Sequence, residues 1–254
     1  MQTVAATPCN MVARHEQARS CVNHRGGVAM IQRRCDSHRL LDIFHFWWEV
    51  GRAAHVHPAD RAVMSRVRHR FDLRSLPGCF AGPLRTAPVV LLYLSPGSSK
   101  KDRIEAKSKA GRARYARMRT GRMPLPGPRD HRSAWQWWKS RTKHFGAWED
   151  LRSKVAVLNI GAYHSKTFAD APLLAALPSS RMSLQWAQRV LFPQAIAGKR
   201  VVVCLRAARF WGLAEGHRYG RALFAPPVTR SGYMKKSPMR DKVIRAVRKM
   251  ISRS

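Results

Sequence analysis

Three unbroken apolar runs constrain this chain more than any other feature. Residues 87–94 (Ala-Pro-Val-Val-Leu-Leu-Tyr-Leu), 154–160 (Lys-Val-Ala-Val-Leu-Asn-Ile) and 199–205 (Lys-Arg-Val-Val-Val-Cys-Leu) are rich in Val and Leu and show no polar alternation. A half-exposed strand alternates, whereas a strand covered on both faces reads as a continuous apolar run, so these are central strands of a parallel sheet. Parallel neighbours need a crossover, and one stands between the second and third runs. Residues 183–196 carry Leu184, Ala187, Val190 and Leu191 at helical spacing, with Gly198 just past the end. Strand, helix and strand in that order form a right-handed βαβ unit. The fold class expected is α/β: a three-layer sandwich with a central four-stranded parallel sheet.

The remaining organisation follows from caps and breaks. Residues 40–50 form a dense apolar run that reads as a first buried helix, and Asp60 stands where it would cap a helix running to about Phe71. Ser237 and Pro238 begin a last helix, with Met239, Val243, Ile244, Val247 and Ile251 on one face and Arg240, Lys242, Arg245, Arg248 and Lys249 around the rest. Residues 1–38 show no periodicity and read as a disordered basic arm; residues 39–254 form the domain, with a basic insertion at about 98–143. Within the arm, Cys21-x-x-His24 and Cys35-x-x-His38 fit zinc-ligand spacing poorly, so no metal is expected, and no cofactor motif is present. The five scattered cysteines do not form a disulfide framework. No run approaches the ~20 apolar residues that span a bilayer. The expectation is a cytoplasmic protein without membrane insertion, nucleoid-associated if it binds DNA.

Charge points to the partner. Forty-eight Lys and Arg stand against 14 Asp and Glu, a net charge of +34, which makes a polyanion the natural ligand. The excess is concentrated: residues 100–143 hold fifteen Lys or Arg, including Lys100, Lys101, Arg112, Arg114, Arg117 and Arg119, against three acids (Asp102, Glu105 and Asp130). Twelve uncompensated charges repel one another unless phosphate lies against them. Nucleic acid is the expected partner, DNA ahead of RNA; an anionic membrane surface is the rival. Trp135, Trp137 and Trp138 end the segment. Rings among cations suit unpaired or extruded bases, although at least two of the three are expected to cover the sheet instead.

In an open α/β sheet, ligands bind beyond the carboxyl ends of the strands. Three stretches converge there: Ser95-Pro96-Gly97 after the first run; Asn159 to Lys166 around the second, with Tyr163, His164 and Ser165; and Arg206, Arg209 and Trp211 after the third, followed by the 226–231 stretch with Arg230 and Ser231. His164 is the most plausible acid or electrophile. Nucleophile-elbow, dinucleotide and P-loop signatures are absent, and no carboxylate pair is expected at a strand end.

The Leu94-Ser95-Pro96-Gly97 turn, the Asn159…Tyr163-His164-Ser165 stretch, the Leu177-Pro178-Ser179 helix entry and the Val-Val-Val strand, taken in this order, resemble the uracil-DNA glycosylase superfamily. That resemblance implies a cleft for an extruded base, a residue at the first motif that positions water, a ring that stacks on the base, and a late motif that supplies a His or an intercalating loop. On this chain those roles fall to Ser95 for water, Tyr163 for stacking and His164 for the leaving base. Ser95 stands where the family has Asn, and residues 228–235 hold no His. Two functions follow: a glycosylase-like hydrolase of an N-glycosidic bond, or a non-catalytic nucleic-acid-binding module that keeps the fold.

Overall fold

A computed structural model describes residues 42–166 and 170–254. The basic arm and its Cys-x-x-His pairs lie outside the described residues. In chain order the helices and strands are α1 (Ile43–Trp48), α2 (Arg61–Arg66), β1 (Phe80–Ala81), β2 (Val89–Tyr93), α3 (Lys100–Lys107), α4 (Lys109–Met118), α5 (Arg132–Thr142), α6 (Trp148–Leu151) and β3 (Val155–Asn159). Then come α7 (Leu173–Ala176), α8 (Pro178–Trp186), α9 (Phe192–Ile196), β4 (Val201–Cys204), β5 (His217–Tyr219), β6 (Leu223–Ala225) and α10 (Pro238–Ile251).

The protein is α/β, with one six-stranded, largely parallel sheet in the order β1-β3-β2-β4-β6-β5. The three apolar runs are β2, β3 and β4, paired in parallel with β2 in the middle. Four parallel strands, β3-β2-β4-β6, form the centre, and two short edge strands that were not expected bring the sheet to six. β6 joins β4 in parallel, and β1 and β5 close the two edges antiparallel. These additions are two or three residues long, and β5 (His-Arg-Tyr) is mostly exposed, too short and too polar to register as apolar runs. Every residue of β2, β3 and β4 is buried. Alternate side chains leave on opposite faces: Val90 and Leu92 enter one core with Leu174 and Trp186, while Val89, Leu91 and Tyr93 enter the other with Trp148, Val243 and Val247. Each such Val or Leu side chain contributes about 1.5–3 kcal/mol on burial.

The crossovers determine where a site can form. From β2 the chain passes through α3–α6 to β3 on one side; from β3 it returns over the opposite face through α7–α9 to β4 on the other. Connections diverging from a central strand leave a crevice at its carboxyl end. That end is Tyr93, followed by Ser95-Pro96-Gly97.

Several helix boundaries differ from expectation. α1 stops at Trp48, ahead of Gly51, and is N-capped by Asp42, which accepts from Phe44 N at 2.9 Å. α2 ends at Arg66, well short of Phe71; Asp60 occupies its N-cap position but makes no side-chain capping hydrogen bond. The Asp60 carboxylate, fully buried, instead accepts from the Tyr163 hydroxyl at 2.5 Å and from Ser179 N at 2.9 Å. The crossover helix begins at Pro178 and contains a π turn, Ala187–Leu191, before α9. Pro193 explains the turn: it donates no hydrogen bond, and its ring needs room against the preceding carbonyls, which a widened turn provides. Gly198 ends the segment at φ +77°, as expected of a helix-terminating glycine. Among the described residues, no helix is long and apolar enough to cross a membrane.

Candidate functional site

A cavity of about 360 Å³ opens at the carboxyl ends of β2 and β3. Its floor and one wall come from Tyr93, Ser95, Pro96 and Gly97, a second wall from Asn159 and His164, and a third from Asp102, Arg114, Tyr115, His131 and Trp137 of the α3–α5 crossover. Of the stretches expected to converge, the first two are stitched together by their backbones. Gly161 N donates to Leu94 O at 2.8 Å and Ser165 N to Pro96 O at 3.3 Å. The buried His164 ring completes the seam, with Nδ1 2.5 Å from Gly97 O and Nε2 3.0 Å from Leu76 O. Each ring nitrogen faces a carbonyl oxygen, so both contacts are made together when both nitrogens carry hydrogen. Asn159 donates to Gly78 O at 2.9 Å. A Cβ added to the exposed Gly97 would meet nothing within 4 Å, so a ligand has an open approach to the backbone there.

One acid of the basic segment, Asp102, lines the cavity, whereas Glu105 lies behind it against His131 and Arg114, and Asp130 pairs with Arg152. Ser99 and Asp102 form a capping box at the start of α3: Asp102 N donates to Ser99 Oγ at 3.2 Å, and Ser99 N donates to Asp102 Oδ2 at 3.0 Å. This fixes the Asp102 side chain in the cavity wall. His131 lies behind it, with Nε2 3.1 Å from Glu105 Oε1 and 3.8 Å from Asp102 Oδ1. Nδ1 of His131 accepts from Ala134 N at 3.1 Å and caps α5, so Nε2 is the nitrogen that donates. Arg114 pairs with Glu105. Burial pushes the Asp102 carboxyl up, but His131, the nearby His164 charge and the Ser99 hydroxyl outweigh it and hold the group below its ordinary value. Asp102 is therefore an ionised carboxylate facing a cavity. The Ser-x-x-Asp spacing was the available signal; charge counting across the segment hid it.

No protein-family model, curated protein or solved structure matches this chain.

The other expected site residues divide clearly. Tyr163 does not reach the cavity. It is buried with Met64, Phe71 and Leu177, and its hydroxyl is bound to Asp60 and His57 N, so stacking on a base in the cavity is not available to it. Ser165 is buried and Lys166 exposed. Arg119 is removed from the binding surface: it is buried, donates to Val50 O at 2.8 Å and Gly51 O at 3.2 Å, and burial draws its guanidinium down to about 10. Lys100, Lys101 and Arg117 are exposed, Arg112 is half-buried, and Arg114 is committed to Glu105. Trp135 and Trp138 pack on the sheet, as expected for two of the three tryptophans, while Trp137 stays at the cavity mouth.

The third convergent stretch arrives as a loop. Val228 bridges Met234, leaving Arg230 and Ser231 exposed at the tip. Gly232, at φ +82°, packs its backbone on the Tyr93 ring; an added Cβ would stand 3.0 Å from that ring. Arg206 lies among Tyr93 and Arg230, and burial, followed by the Arg230 charge, lowers its affinity for its proton. Trp211 is buried and Arg209 exposed. The Tyr93 hydroxyl is buried without a hydrogen-bond partner, and burial raises its pKa.

Proposed function

We propose that this protein binds nucleic acid, DNA before RNA, and takes an extruded base into the cavity beyond β2, in a fold resembling the uracil-DNA glycosylase superfamily. The observation that carries this reading is a cavity at the carboxyl edge of a parallel sheet, lined by Tyr93, Trp137 and Trp138, with Arg141 stacked on Trp137 at 3.9 Å beside it. A base is flat, polar at its edge and tethered to phosphate, and extrusion delivers it to such a pocket. Tyr93, with its unpartnered hydroxyl, together with Asn159 and the open backbone at Gly97, supplies groups for a base edge.

Hydrolysis is supported by Asp102. In the reaction the site favours, water attacks the sugar anomeric carbon while the bond to the base nitrogen breaks. The bonding pair leaves with the base, and the water proton passes to the Asp102 carboxylate. An ionised carboxylate also favours the cationic sugar of the transition state. Ser95, half-buried in the same wall, is the hydroxyl available to hold that water. The roles first assigned to Tyr163 and His164 lose support: one hydroxyl is bound elsewhere, and the other ring is tied to two carbonyls. Those two commitments favour the second reading, a binding module without turnover.

Incubation with oligonucleotides carrying uracil, hypoxanthine or a mismatch, followed by alkaline cleavage of abasic sites, separates the readings. Strand breaks that fall at least 100-fold in Asp102→Asn and less in Ser95→Ala establish the hydrolase. Tight binding without breaks on every substrate leaves the binding module.

A further inference from the structure

Beside the cavity, three side chains form a layered stack. The Arg141 guanidinium lies 3.9 Å from the centre of the Trp137 ring and 4.6 Å from that of Tyr233. Trp137 and Arg141 come from adjacent turns of α5, and Tyr233 comes from the 228–234 loop, whose hydroxyl donates to Ser140 Oγ at 3.3 Å. Arg141 also donates to Ser140 Oγ at 2.8 Å. The stack therefore joins two separate elements, and Trp137 itself lines the cavity, 5.4 Å from the Tyr93 ring.

A stack that served packing alone would be covered. Here Trp137 is 37% exposed and Tyr233 36%, so both rings keep surface in water. Trp135 and Trp138 already supply the core contacts of α5. Among the described residues, none of Arg141, Arg206 and Arg230 pairs with a carboxylate; Arg141 lies against both rings, Arg206 stands by the neighbouring Tyr93, and Arg230 by Arg206. Unneutralised cations interleaved with exposed rings match the backbone and faces of an unpaired strand, whose bases stack while its phosphates meet Lys and Arg. Paired bases keep their faces inside the duplex and offer none to a ring.

We propose that Trp137, Arg141 and Tyr233 form a stacking platform for the unpaired nucleotide next to the one in the cavity, so that the protein prefers single-stranded DNA to duplex. This rests on the nucleic-acid reading above and narrows its partner. Arg141 holds the rings apart and neutralises one phosphate.

The test is fluorescence anisotropy with a labelled oligothymidylate and a duplex of equal length, titrated over a range of salt. The single strand binds tighter. Trp137→Ala and Tyr233→Ala each weaken its binding about 5- to 100-fold, leave the salt slope unchanged, and scarcely alter the duplex. Trp137→Phe, which keeps a ring, recovers most of the loss. Arg141→Gln makes the single-strand slope shallower by about 0.7. Tyr233 lies in a loop, so its variant carries the test if Trp137→Ala fails to fold. Ring variants that bind like the parent, or tighter binding to duplex, overturn the platform and leave nucleic-acid binding standing. No salt-dependent binding to either oligonucleotide overturns both.

Discussion

Single residues decide which parts of the loops become a site. Tyr163 and His164 are neighbours, yet one ring enters an interior cluster and the other faces the cavity, because successive side chains of an extended stretch leave on opposite sides. Sequence order alone identified the stretch but not which ring faces which way. Ser95, Pro96, Gly97, Asn159 and His164 were legible because turn chemistry and strand ends locate them; Asp102 had a local signal in Ser99, three residues before it, whereas His131 had none, because the crossover alone brings it to Asp102 and Glu105. Asp72 shows the same long-range character. Its carboxylate accepts from Ser98 Oγ at 2.9 Å, Arg74 Nε at 2.9 Å and Arg103 Nε at 2.7 Å, and its backbone N–H donates to His164 O at 2.7 Å. Burial pushes this carboxyl up, but the Arg74 and Ser98 hydrogen bonds and the Arg103 charge outweigh burial and hold it well below its ordinary value. A depressed carboxyl stabilises the fold fully above its unfolded pKa of ~3.9, and that stabilisation is lost as pH falls toward the folded value. Asp72→Asn therefore costs about 1–3 kcal/mol at pH 7, and denaturant melts at pH 7 and pH 3 find the difference from the parent shrinking at the lower pH.

At the scale of elements, existence was more legible than extent. The three apolar runs announced β2, β3 and β4 because full burial leaves an unmixed apolar signature, and α10 announced itself by cap and spacing. β1, β5 and β6 carry no comparable signature, since two or three residues cannot establish a period. α2 proved short because the backbone becomes extended at Val67, with φ −125° and ψ +133°, while at its start Asp60 gives its carboxylate to Tyr163 and Ser179. Caps give a comparison between α3 and α10. Ser99 accepts from Asp102 N at 3.2 Å, and Ser237 accepts from Arg240 N at 3.2 Å. Ser99→Ala and Ser237→Ala each cost about 0.5–2 kcal/mol, read as similar losses in thermal melts. Ser99→Ala alone also releases Asp102 Oδ2 from the hydroxyl that holds it at 2.7 Å. In the hydrolase reading it therefore lowers excision from a uracil-bearing oligonucleotide about tenfold or more, whereas Ser237→Ala leaves it unchanged.

At the scale of the whole molecule, a net charge of +34 dominates encounter with any partner. Each phosphate neutralised on duplex DNA adds about −0.9 to the slope of log K against log salt. Anisotropy measured from low to moderate salt gives a slope steeper than −4, and Lys100→Glu with Lys101→Glu makes it shallower by about 2. Binding that stays flat with salt refutes the assignment of this charge to phosphate. Liposomes of anionic lipid, floated in parallel at moderate salt, recover little of the protein, because the apolar residues Val243, Val247 and Ile251 of α10 are buried against the sheet and leave no apolar face to insert.

The short antiparallel strands at the two sheet edges acquire a meaning under such crowding. A polyanion gathers many copies of a cationic chain along one thread, raising their local concentration far above that in bulk. An open parallel edge would then invite the next copy to continue the ladder. Here β1 offers two residues, and β5 offers three with Arg218 exposed in the middle; so brief and charged a margin gives a neighbour little to pair with. In the proposed nucleic-acid reading, these margins let copies accumulate on a thread without polymerising along it.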